Sequence, residues 1–309
     1  METAALHVPV MVREVVASLR PEEGGWYVDC TLGMGGHSRA ILEAGKGASV
    51  LGLDRDSQSV EIARRALEPS GARFRCLKAD YRDVDTWAEK LPDPPRGILV
   101  DLGLSGYQLK AGRGFSFKDD TQLDMRMDPT SGPSAEEYLR DVSEAELAQI
   151  LRAYGEEKMA RRIAGAIVTA RETAPLADAA TLARIVEEAV PARLRGRIHP
   201  ATRTFQALRI VVNRELDGLG AFLERAVSLL ASGGRIAVLS YHSLEDRIVK
   251  QTFGALAKGC ICPPKLPFCA CSRKPSLRLV RRGAARPSEA EVQANPSSRS
   301  AKLRVGEKA

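Results

Sequence analysis

The 309-residue sequence lacks any apolar run close to the roughly 18 residues that a membrane-spanning helix requires. Its N-terminus also lacks the basic and apolar segments of a secretory signal peptide. These two absences argue against a membrane partner and predict a cytoplasmic location. With 44% hydrophobic and 28% charged residues, the composition is that of a globular protein that can bury a sizeable core.

Cysteine is scarce outside one short segment. Cys30 and Cys76 lie in apolar, strand-like runs and are typical of core thiols. A cytoplasmic chain disfavours disulfides. Four thiols in 12 residues could hold zinc, but Cys-x-Cys, six residues and Cys-x-Cys is not a common zinc spacing, so free thiols or an RNA-contacting loop are the alternatives. We assign no metal ligand among these four: Cys260, Cys262, Cys269 and Cys271.

Positive charge is concentrated in two segments. The net charge is +7, and residues 272–309, with ten Lys or Arg against three Glu, carry the whole excess. Residues 191–214 contain six arginines and no acidic residue. Basic clusters predict a polyanionic partner, most commonly nucleic acid, although solvated arginines without a specific partner are the alternative.

The first hundred residues alternate between strand and helix patterns. Short continuous apolar runs predict buried strands at 26–31, 48–56, 72–81 and 97–103. Helical periodicity lies before and between them, at 8–19, 38–45 and 57–68, the last beginning at Ser57. Such alternation is typical of βαβ units with a parallel sheet.

A block with almost no strand signal interrupts this pattern. Capping boxes at Ser134/Glu137 and Ser143/Glu146 open two of its helices. We predict helices at 135–140, 144–153, 156–172 and 178–190, before the alternation returns with a helix at 221–232 and a turn and strand at 233–243. The sequence therefore predicts an α/β domain in two parts, 1–108 and 211–271, an inserted helical domain at 109–210, and an extended or partly disordered basic tail at 272–309.

The loop after the first predicted strand is rich in glycine. It reads Asp29-x-Thr31-x-Gly33-x-Gly35, and His37-Ser38 stand where a P-loop would need Lys followed by Ser or Thr. Ser38 also replaces the third glycine of a dinucleotide fingerprint. S-adenosylmethionine methyltransferases carry D-x-G-x-G-x-G in this place, and this pattern fits better, with Thr in place of the first glycine.

Three further predicted strands also end in acidic residues. Asp54 lies about 20 residues beyond the glycine loop, where a carboxylate can accept both ribose hydroxyls. Asp80-Tyr81 suits an adenine, and Asp101 falls at the reacting centre. Each acid could instead be a helix N-cap, but four strands that all end in one favour a nucleoside cofactor.

Longer blocks resemble one family. They read GMGGHSRAIL, RGFSF, LDMRMDP, YGEEKMARRIA, HPATRTFQALRIVVN and SYHSLEDRIVK. Together they are similar to the bacterial 16S rRNA (cytosine-N4)-methyltransferase family, also called MraW or RsmH, from His7 to about residue 304. The resemblance implies a Rossmann-like S-adenosylmethionine methyltransferase domain with an inserted all-helical domain. It also implies N4-methylation of one cytidine in the decoding region of 16S rRNA, in the small ribosomal subunit.

The resemblance also implies which residues form the site. The cofactor contacts would include Asp54 for the ribose, Tyr81 near the adenine, and Asp101 with Gln108 near the methionine end. The glycine loop would contribute the remaining cofactor contacts, which are Gly33, Gly35, Gly36 and His37. One departure affects this set: the family reads D-L-G-V-S-S-P-Q-L-D after the fourth strand, whereas this chain reads DLGLSGYQLK. Gly106, Tyr107 and Lys110 thus replace Ser, Pro and Asp, which predicts a looser loop around Gln108.

Methyl transfer to a cytosine amine needs a group that accepts an N4 hydrogen bond. Asp101 is the best candidate and Ser105 a weaker one, although Asp101 could simply orient the cofactor. No cysteine follows the fourth strand near Asp101, which argues against methylation at C5. The predicted base-holding residues follow the strand at 235–240 and are Tyr241, His242 and Ser243. The arginines of 193–214 would contact phosphates, and Arg203 is the one selected among them.

Other interpretations of the same features are open. Ser243 and Asp246 have the spacing of a capping box, which would give this segment a purely structural role. A small-molecule methyltransferase, a non-catalytic RNA-binding factor on the same fold and a Rossmann dehydrogenase are rival functions. The oligomeric state does not follow from the sequence.

Overall fold

The computed structural model describes residues 9–117, 121–196, 198–258, 262–263, 267–268, 270–271 and 273–309, and only the backbone of Lys110. The chain divides into a sheet unit, residues 1–103 and 218–309, and a helical unit, residues 104–217. The helical unit is thus inserted between the fourth strand and the helix that follows it in the sheet unit. In the described part of the chain, no helix combines the length and apolar character that a membrane span would need.

The sheet unit contains seven strands in the order β3-β2-β1-β4-β5-β7-β6. β1 to β5 are parallel, while β7 is antiparallel to both of its neighbours. The strands are β1 (Gly25–Asp29), β2 (Ala48–Asp54), β3 (Phe74–Lys78), β4 (Gly97–Asp101), β5 (Arg235–Ser240), β6 (Leu277–Leu279) and β7 (Lys302–Lys308).

Helices cover both faces of this sheet, because alternate strand residues point to opposite sides. Ile98 and Val100 pack into one apolar cluster, and Leu99 packs into another. This Rossmann-like α/β arrangement confirms the predicted fold class. The helices of the unit are α1 (Val12–Leu19), α2 (Gly36–Ala44), α3 (Ser57–Leu67), α4 (Val84–Ala88), α11 (Leu219–Leu229), α12 (Ser243–Lys258) and α13 (Glu289–Ala294).

The helical unit has its own buried core of small and aliphatic side chains, among them Leu139, Leu147, Ile163 and Leu182. Ser134 caps its second helix in a complete capping box with Glu137, and Ser143 caps the next by accepting the N–H of Glu146 at 3.2 Å. The helices are α5 (Gly106–Lys110), α6 (Ala135–Asp141), α7 (Glu144–Gly155), α8 (Ala160–Thr173), α9 (Ala179–Ala189) and α10 (Ala201–Asn213).

The C-terminal segment differs from the expected extended tail. The expectation of partial disorder is wrong, because β6 and β7 complete the sheet beside β5. Four of its ten basic residues are engaged inside the sheet unit. Lys302 and Arg304 pair with Asp246, Arg278 pairs with Glu307, and Lys308 donates to two carbonyl oxygens of residues 228 and 230.

Candidate active site

The glycine loop begins directly after β1 and leads into α2. Gly33 and Gly35 both have positive φ angles, 50° and 80°, which other residues adopt only at a cost. A Cβ on Gly36 would lie 2.4 Å from Pro9 Cγ, so this glycine permits close packing within the unit. The loop conformation therefore depends on glycine at each of these positions for a reason internal to the fold. Cofactor contact by Gly33, Gly35 and Gly36 stays a prediction.

Asp54, the last residue of β2, is tied to this loop. One carboxylate oxygen accepts the N–H of Gly33 at 2.8 Å, and the other accepts the N–H of Asp56 at 2.9 Å. No cation pairs with it among the described residues. Burial raises the pKa of Asp54 to about 6, although both backbone hydrogen bonds oppose the shift. The carboxylate keeps lone pairs available for further donors.

His37, in the first turn of α2, faces Asp101, the last residue of β4. His37 Nε2 lies 3.4 Å from Asp101 Oδ2, and the histidine side chain is 5% exposed. Neither ring nitrogen of His37 has a hydrogen-bond partner among the described residues. Burial by itself would lower the pKa of His37, but the carboxylates of Asp101 and Asp29 outweigh burial and raise it.

Tyr241 brings the end of β5 into the same cluster. Its hydroxyl donates to Asp101 Oδ1 at 2.7 Å. Burial, reinforced by the Asp101 charge, raises the pKa of Tyr241, so the hydroxyl stays protonated. We predicted Tyr241 as a residue that holds the base, and the structure shows that its hydroxyl holds Asp101. Asp101, at 22% side-chain exposure, remains open to solvent and to a ligand.

Two residues that the sequence analysis did not select support this cluster. Thr31 Oγ1 accepts the N–H of Asp101 at 2.6 Å, which links the glycine loop to the end of β4. Glu245 is 2% exposed and accepts the N–H of Tyr241 at 2.8 Å. Thr31 had a signal, since it replaces the first glycine of D-x-G-x-G-x-G. Glu245 also had one, since it lies three residues after His242.

The start of α12 corrects the proposed capping box of Ser243 and Asp246. Ser243 is already the first helical residue. His242 occupies the capping position, since its Nδ1 accepts the N–H of Glu245 at 3.4 Å and its own N–H donates to Glu245 at 3.3 Å. Asp246 is turned toward Lys302 and Arg304. The imidazole of His242 therefore has a structural role at this helix start.

The adenine-side residues lie after β3. Tyr81 packs its ring 4.6 Å from that of Phe222. The carboxylate of Asp80 pairs with Arg82 at 2.5 Å and with Arg55 at 3.5 Å. Burial acts to raise the pKa of Asp80, but hydrogen bonds and the charge of Arg82 lower it overall. Asp80 is thus an ionised, cation-paired residue, unlike Asp54.

The remaining predicted residues belong to the helical unit. Ser105 caps α5 by accepting the N–H of Gln108 at 3.2 Å, and Gln108 Oε1 accepts the N–H of Ser105 at 3.0 Å. The variant segment is therefore a capped helical turn in which Gln108 is held by Ser105, and its looseness relative to the family stays a prediction. Arg203, in the first turn of α10, donates to the carbonyl oxygen of Glu156 at 3.4 Å. Of the four clustered cysteines, Cys260 and Cys269 lie outside the described residues.

Comparison with known proteins gives matches along the whole chain. The model of the MraW methylase family matches residues 4–309. A curated relative from Syntrophotalea carbinolica, named ribosomal RNA small subunit methyltransferase H, is 50% identical over 97% of this chain and 96% of its own. A relative of the same name from Anaeromyxobacter dehalogenans is 48% identical over 98% and 97%. A crystal structure described as an rRNA methylase from Streptococcus thermophilus superposes with a TM-score of 0.40 at 11% identity, over 96% of this chain and 93% of that one.

Proposed function

The chain belongs to the MraW methylase family, and on that premise we propose that it methylates N4 of a cytidine in the decoding region of 16S rRNA, within the small ribosomal subunit. The observation that supports this best is the Asp101 carboxylate, which is partly exposed and oriented by the Tyr241 hydroxyl at 2.7 Å. It presents an oriented hydrogen-bond acceptor at the carboxyl end of β4, where parallel α/β sheets bind their ligands.

The general reaction and the cofactor follow from family membership. The chain is a methyltransferase that uses S-adenosylmethionine, and its curated relatives carry the name of a ribosomal RNA small subunit methyltransferase. The proposal adds to this the target atom, cytosine N4, and its position in the decoding region. Family resemblance supports both, and the chemistry of the site is consistent with the first.

The residues present fit the cofactor. Neither buried ring nitrogen of His37 makes a hydrogen bond in the described structure, Nε2 lying 3.4 Å from the Asp101 carboxylate, and in the same described residues Asp54 is held only by backbone amides. An unpartnered polar atom is costly to bury unless a ligand completes it. Asp54 would hold the ribose hydroxyls, Tyr81 would lie at the adenine, and His37 would lie near the methionine end. When bound, S-adenosylmethionine supplies an electrophilic methyl group.

Cytosine N4 is a poor nucleophile because its lone pair is delocalised into the ring. A carboxylate that accepts an N4–H hydrogen bond increases the electron density on nitrogen and can take the proton that the methylated amine must lose. Asp101 would perform both tasks: Tyr241 fixes its Oδ1, and Oδ2, which lies 3.4 Å from His37 Nε2, would accept the N4–H. This contribution is positioning and electrostatic stabilisation. Ser105 is the weaker candidate because its hydroxyl already caps α5.

The test is methyl transfer from labelled S-adenosylmethionine to small ribosomal subunits that lack this modification, followed by digestion to nucleosides and mass spectrometry. We expect N4-methylcytidine at a single position. Asp101→Ala should abolish it, and the matched control Asp85→Asn, which alters an acid that is 88% exposed in the same unit, should retain it.

Three results would contradict the proposal in different ways. Label recovered on C5 or on another base would refute the choice of N4. Cofactor binding without any transfer to ribosomal RNA would indicate the non-catalytic alternative, an RNA-binding factor on a methyltransferase fold. Loss of cofactor binding in the wild-type chain would overturn the assignment of the glycine loop.

A further inference from the structure

The segment between α9 and α10, residues 191–200, exposes two large aliphatic side chains. Leu194 is 53% exposed and Ile198 is 48% exposed. A single exposed leucine is ordinary on protein surfaces. Among the described residues, five large hydrophobic side chains are exposed, and two of them lie four positions apart in this one segment. We call Leu194 and Ile198 the apolar pair.

The residue that follows each member of the apolar pair makes specific contacts. The Arg195 guanidinium donates to the carboxylate of Glu187 at 2.8 Å, and to the carbonyl oxygens of Glu187 and Val190 at 2.7 and 3.1 Å. These bonds also engage carbonyls at the end of α9, where that of Glu187 accepts the N–H of Val190 as well, at 3.2 Å. Arg195 is therefore an anchor of the segment, and its charge is largely used within the helical unit.

His199 is the second anchor and follows Ile198. Its ring stacks on Phe117 with centroids 4.5 Å apart and an interplanar angle of 22°. Its Nδ1 accepts the N–H of Ala201 at 3.2 Å at the start of α10. Phe117 in turn packs edge-on against Phe205, with centroids 5.3 Å apart. Because Arg195 and His199 are both held by specific contacts, Leu194 and Ile198 are each exposed beside an anchored residue.

An exposed cation adjoins the apolar pair. Residues 191–214 contain six arginines and no acidic residue, but three of these arginines pair with acids outside the segment, Arg195 with Glu187, Arg209 with Glu215 and Arg214 with Asp217. Arg193 is exposed next to Leu194 and has no ion pair among the described residues. A partner that complements this surface must offer apolar faces beside a negative charge. Single-stranded or looped RNA has both, since phosphates alternate with bases whose faces are uncovered once they leave the helical stack. Apolar side chains inserted against unstacked bases are a recurrent feature of nucleic-acid binding proteins.

We propose that the apolar pair packs against unstacked bases of the ribosomal RNA substrate while Arg193 contacts an adjacent phosphate. The inference rests on the proposed function for the identity of the RNA, and it adds a recognition surface outside the candidate active site. The apolar pair contributes affinity by removing apolar surface from water, a contribution that does not depend on salt. Arg193 contributes by releasing counterions from the RNA, and this contribution weakens as the salt concentration rises.

This difference gives the test. Binding of the full-length protein to a fluorescently labelled, unmodified 16S rRNA fragment is measured as a function of KCl concentration. The double substitution Leu194→Ser and Ile198→Ser should weaken binding by roughly tenfold or more at every salt concentration, with the slope of log K against log salt unchanged. Arg193→Ala should make that slope less steep by about 0.7, the value expected for one phosphate contact on single-stranded RNA.

Two matched controls separate specific loss from general effects. Val280→Ser removes another exposed aliphatic side chain, in the sheet unit, and should leave RNA affinity unchanged. Arg65→Ala removes an exposed arginine that pairs with Glu61 and should leave the salt slope unchanged. The thermal midpoint of the double variant should match that of the wild type, because both altered side chains are about half exposed.

Several outcomes would overturn the inference. Wild-type affinity in the double variant would do so. So would unchanged binding to the RNA fragment combined with weaker binding to assembled small subunits, since the partner would then be a ribosomal protein. The proposed function fails independently of this: if the wild type makes no N4-methylcytidine while RNA binding still depends on the apolar pair, the surface stands and the reaction does not.

Discussion

Carboxylates at the ends of β1, β2 and β4 are held mainly by uncharged donors, whereas those beside β7 are held by cations. Asp29 accepts the Ser38 hydroxyl, Asp54 accepts two backbone amides, and Asp101 accepts the Tyr241 hydroxyl, with His37 Nε2 3.4 Å from its other oxygen. The acids beside β7 are Asp246, paired with Lys302 and Arg304, and Glu307, paired with Arg235 and Arg278.

The pKa values separate the two regions in the same way. Burial raises the pKa of Asp29 and of Asp54. Hydrogen bonds from Arg278 and Arg235 lower the pKa of Glu307, and those from Arg304 and Lys302 lower that of Asp246 despite its burial. An acid without a cation is costly to bury, so the acids at the ends of β1, β2 and β4 lower the stability of the fold, and a bound ligand can restore it. The second region stabilises the C-terminal strands against β5 and α12.

The largest expected effect is at Asp101. Asp101→Asn keeps a side chain of the same shape and an oxygen for the Tyr241 hydroxyl, but it removes the charge that accepts the N4 proton. We expect the rate of methyl transfer to fall by about 10²–10³-fold, with the free energy of unfolding changed by less than about 1 kcal/mol. Single-turnover transfer and thermal denaturation measure the two quantities. If the free energy of unfolding instead fell by several kcal/mol, Asp101 would have a structural role like that of the acids beside β7, and the two regions would not differ.

Asp246→Asn should show the opposite profile. It leaves Lys302 and Arg304 without their shared carboxylate, which is 14% exposed, and we expect a destabilisation of about 1–3 kcal/mol. Methyl transfer per folded molecule should stay within about twofold of the wild type. Chemical denaturation at neutral pH and again near pH 3 measures the effect.

The pH dependence follows from the sign of the shift. Because folding lowers the pKa of Asp246, its contribution is present above the unfolded value near 4 and is lost as the pH falls through the folded value. The difference between wild type and variant should therefore shrink in acid. An equal difference at both pH values would mean that packing, and not charge, accounts for the destabilisation.

The contrast also explains what the sequence could predict. The runs that become β1 to β4 are short, apolar and bounded by acids, so both the strands and the acids at their ends could be identified. β7 was missed because its buried residues, Leu303 and Val305, alternate with Lys302 and Arg304, and this composition suggested a solvated tail. Its charges have partners within the fold, which only the tertiary structure shows.

The contacts within the site could be predicted less well than its residues. Asp101 and Tyr241 are 140 residues apart in sequence, and no local pattern reports that their side chains meet. A local signal did exist for Glu245, three residues after His242, but Ser243 offered a more familiar capping residue one position later. Sequence therefore identified the chemical groups, while their pairing depended on the sheet order.

Tyr241→Phe tests this pairing with a smaller effect. It removes only the hydroxyl that orients Asp101 and keeps the ring that packs beside Gly103. We expect kcat to fall by about 10- to 100-fold with little change in KM for the RNA, since one hydrogen bond to a charged group contributes roughly 1.5–3 kcal/mol. Tyr138→Phe, in the helical unit, is the matched control. A change in KM alone would instead support the earlier prediction that Tyr241 holds the base.

The smallest expected effect concerns Asp54 and the cofactor. Its pKa of about 6 means that the carboxylate becomes protonated in mildly acidic solution, where Asp246 and Glu307 stay ionised because their pKa values are lowered. If the ionised form holds the ribose hydroxyls, the dissociation constant for S-adenosylmethionine should rise by about fourfold between pH 7.5 and pH 5.5, with no loss of folded protein over that range. Isothermal titration calorimetry measures this dissociation constant. Asp54→Asn should bind S-adenosylmethionine more weakly, and its dissociation constant should not change between the two pH values. An unchanged step in the variant would assign the titration to His37, whose pKa is also raised, and would leave Asp54 ionised throughout.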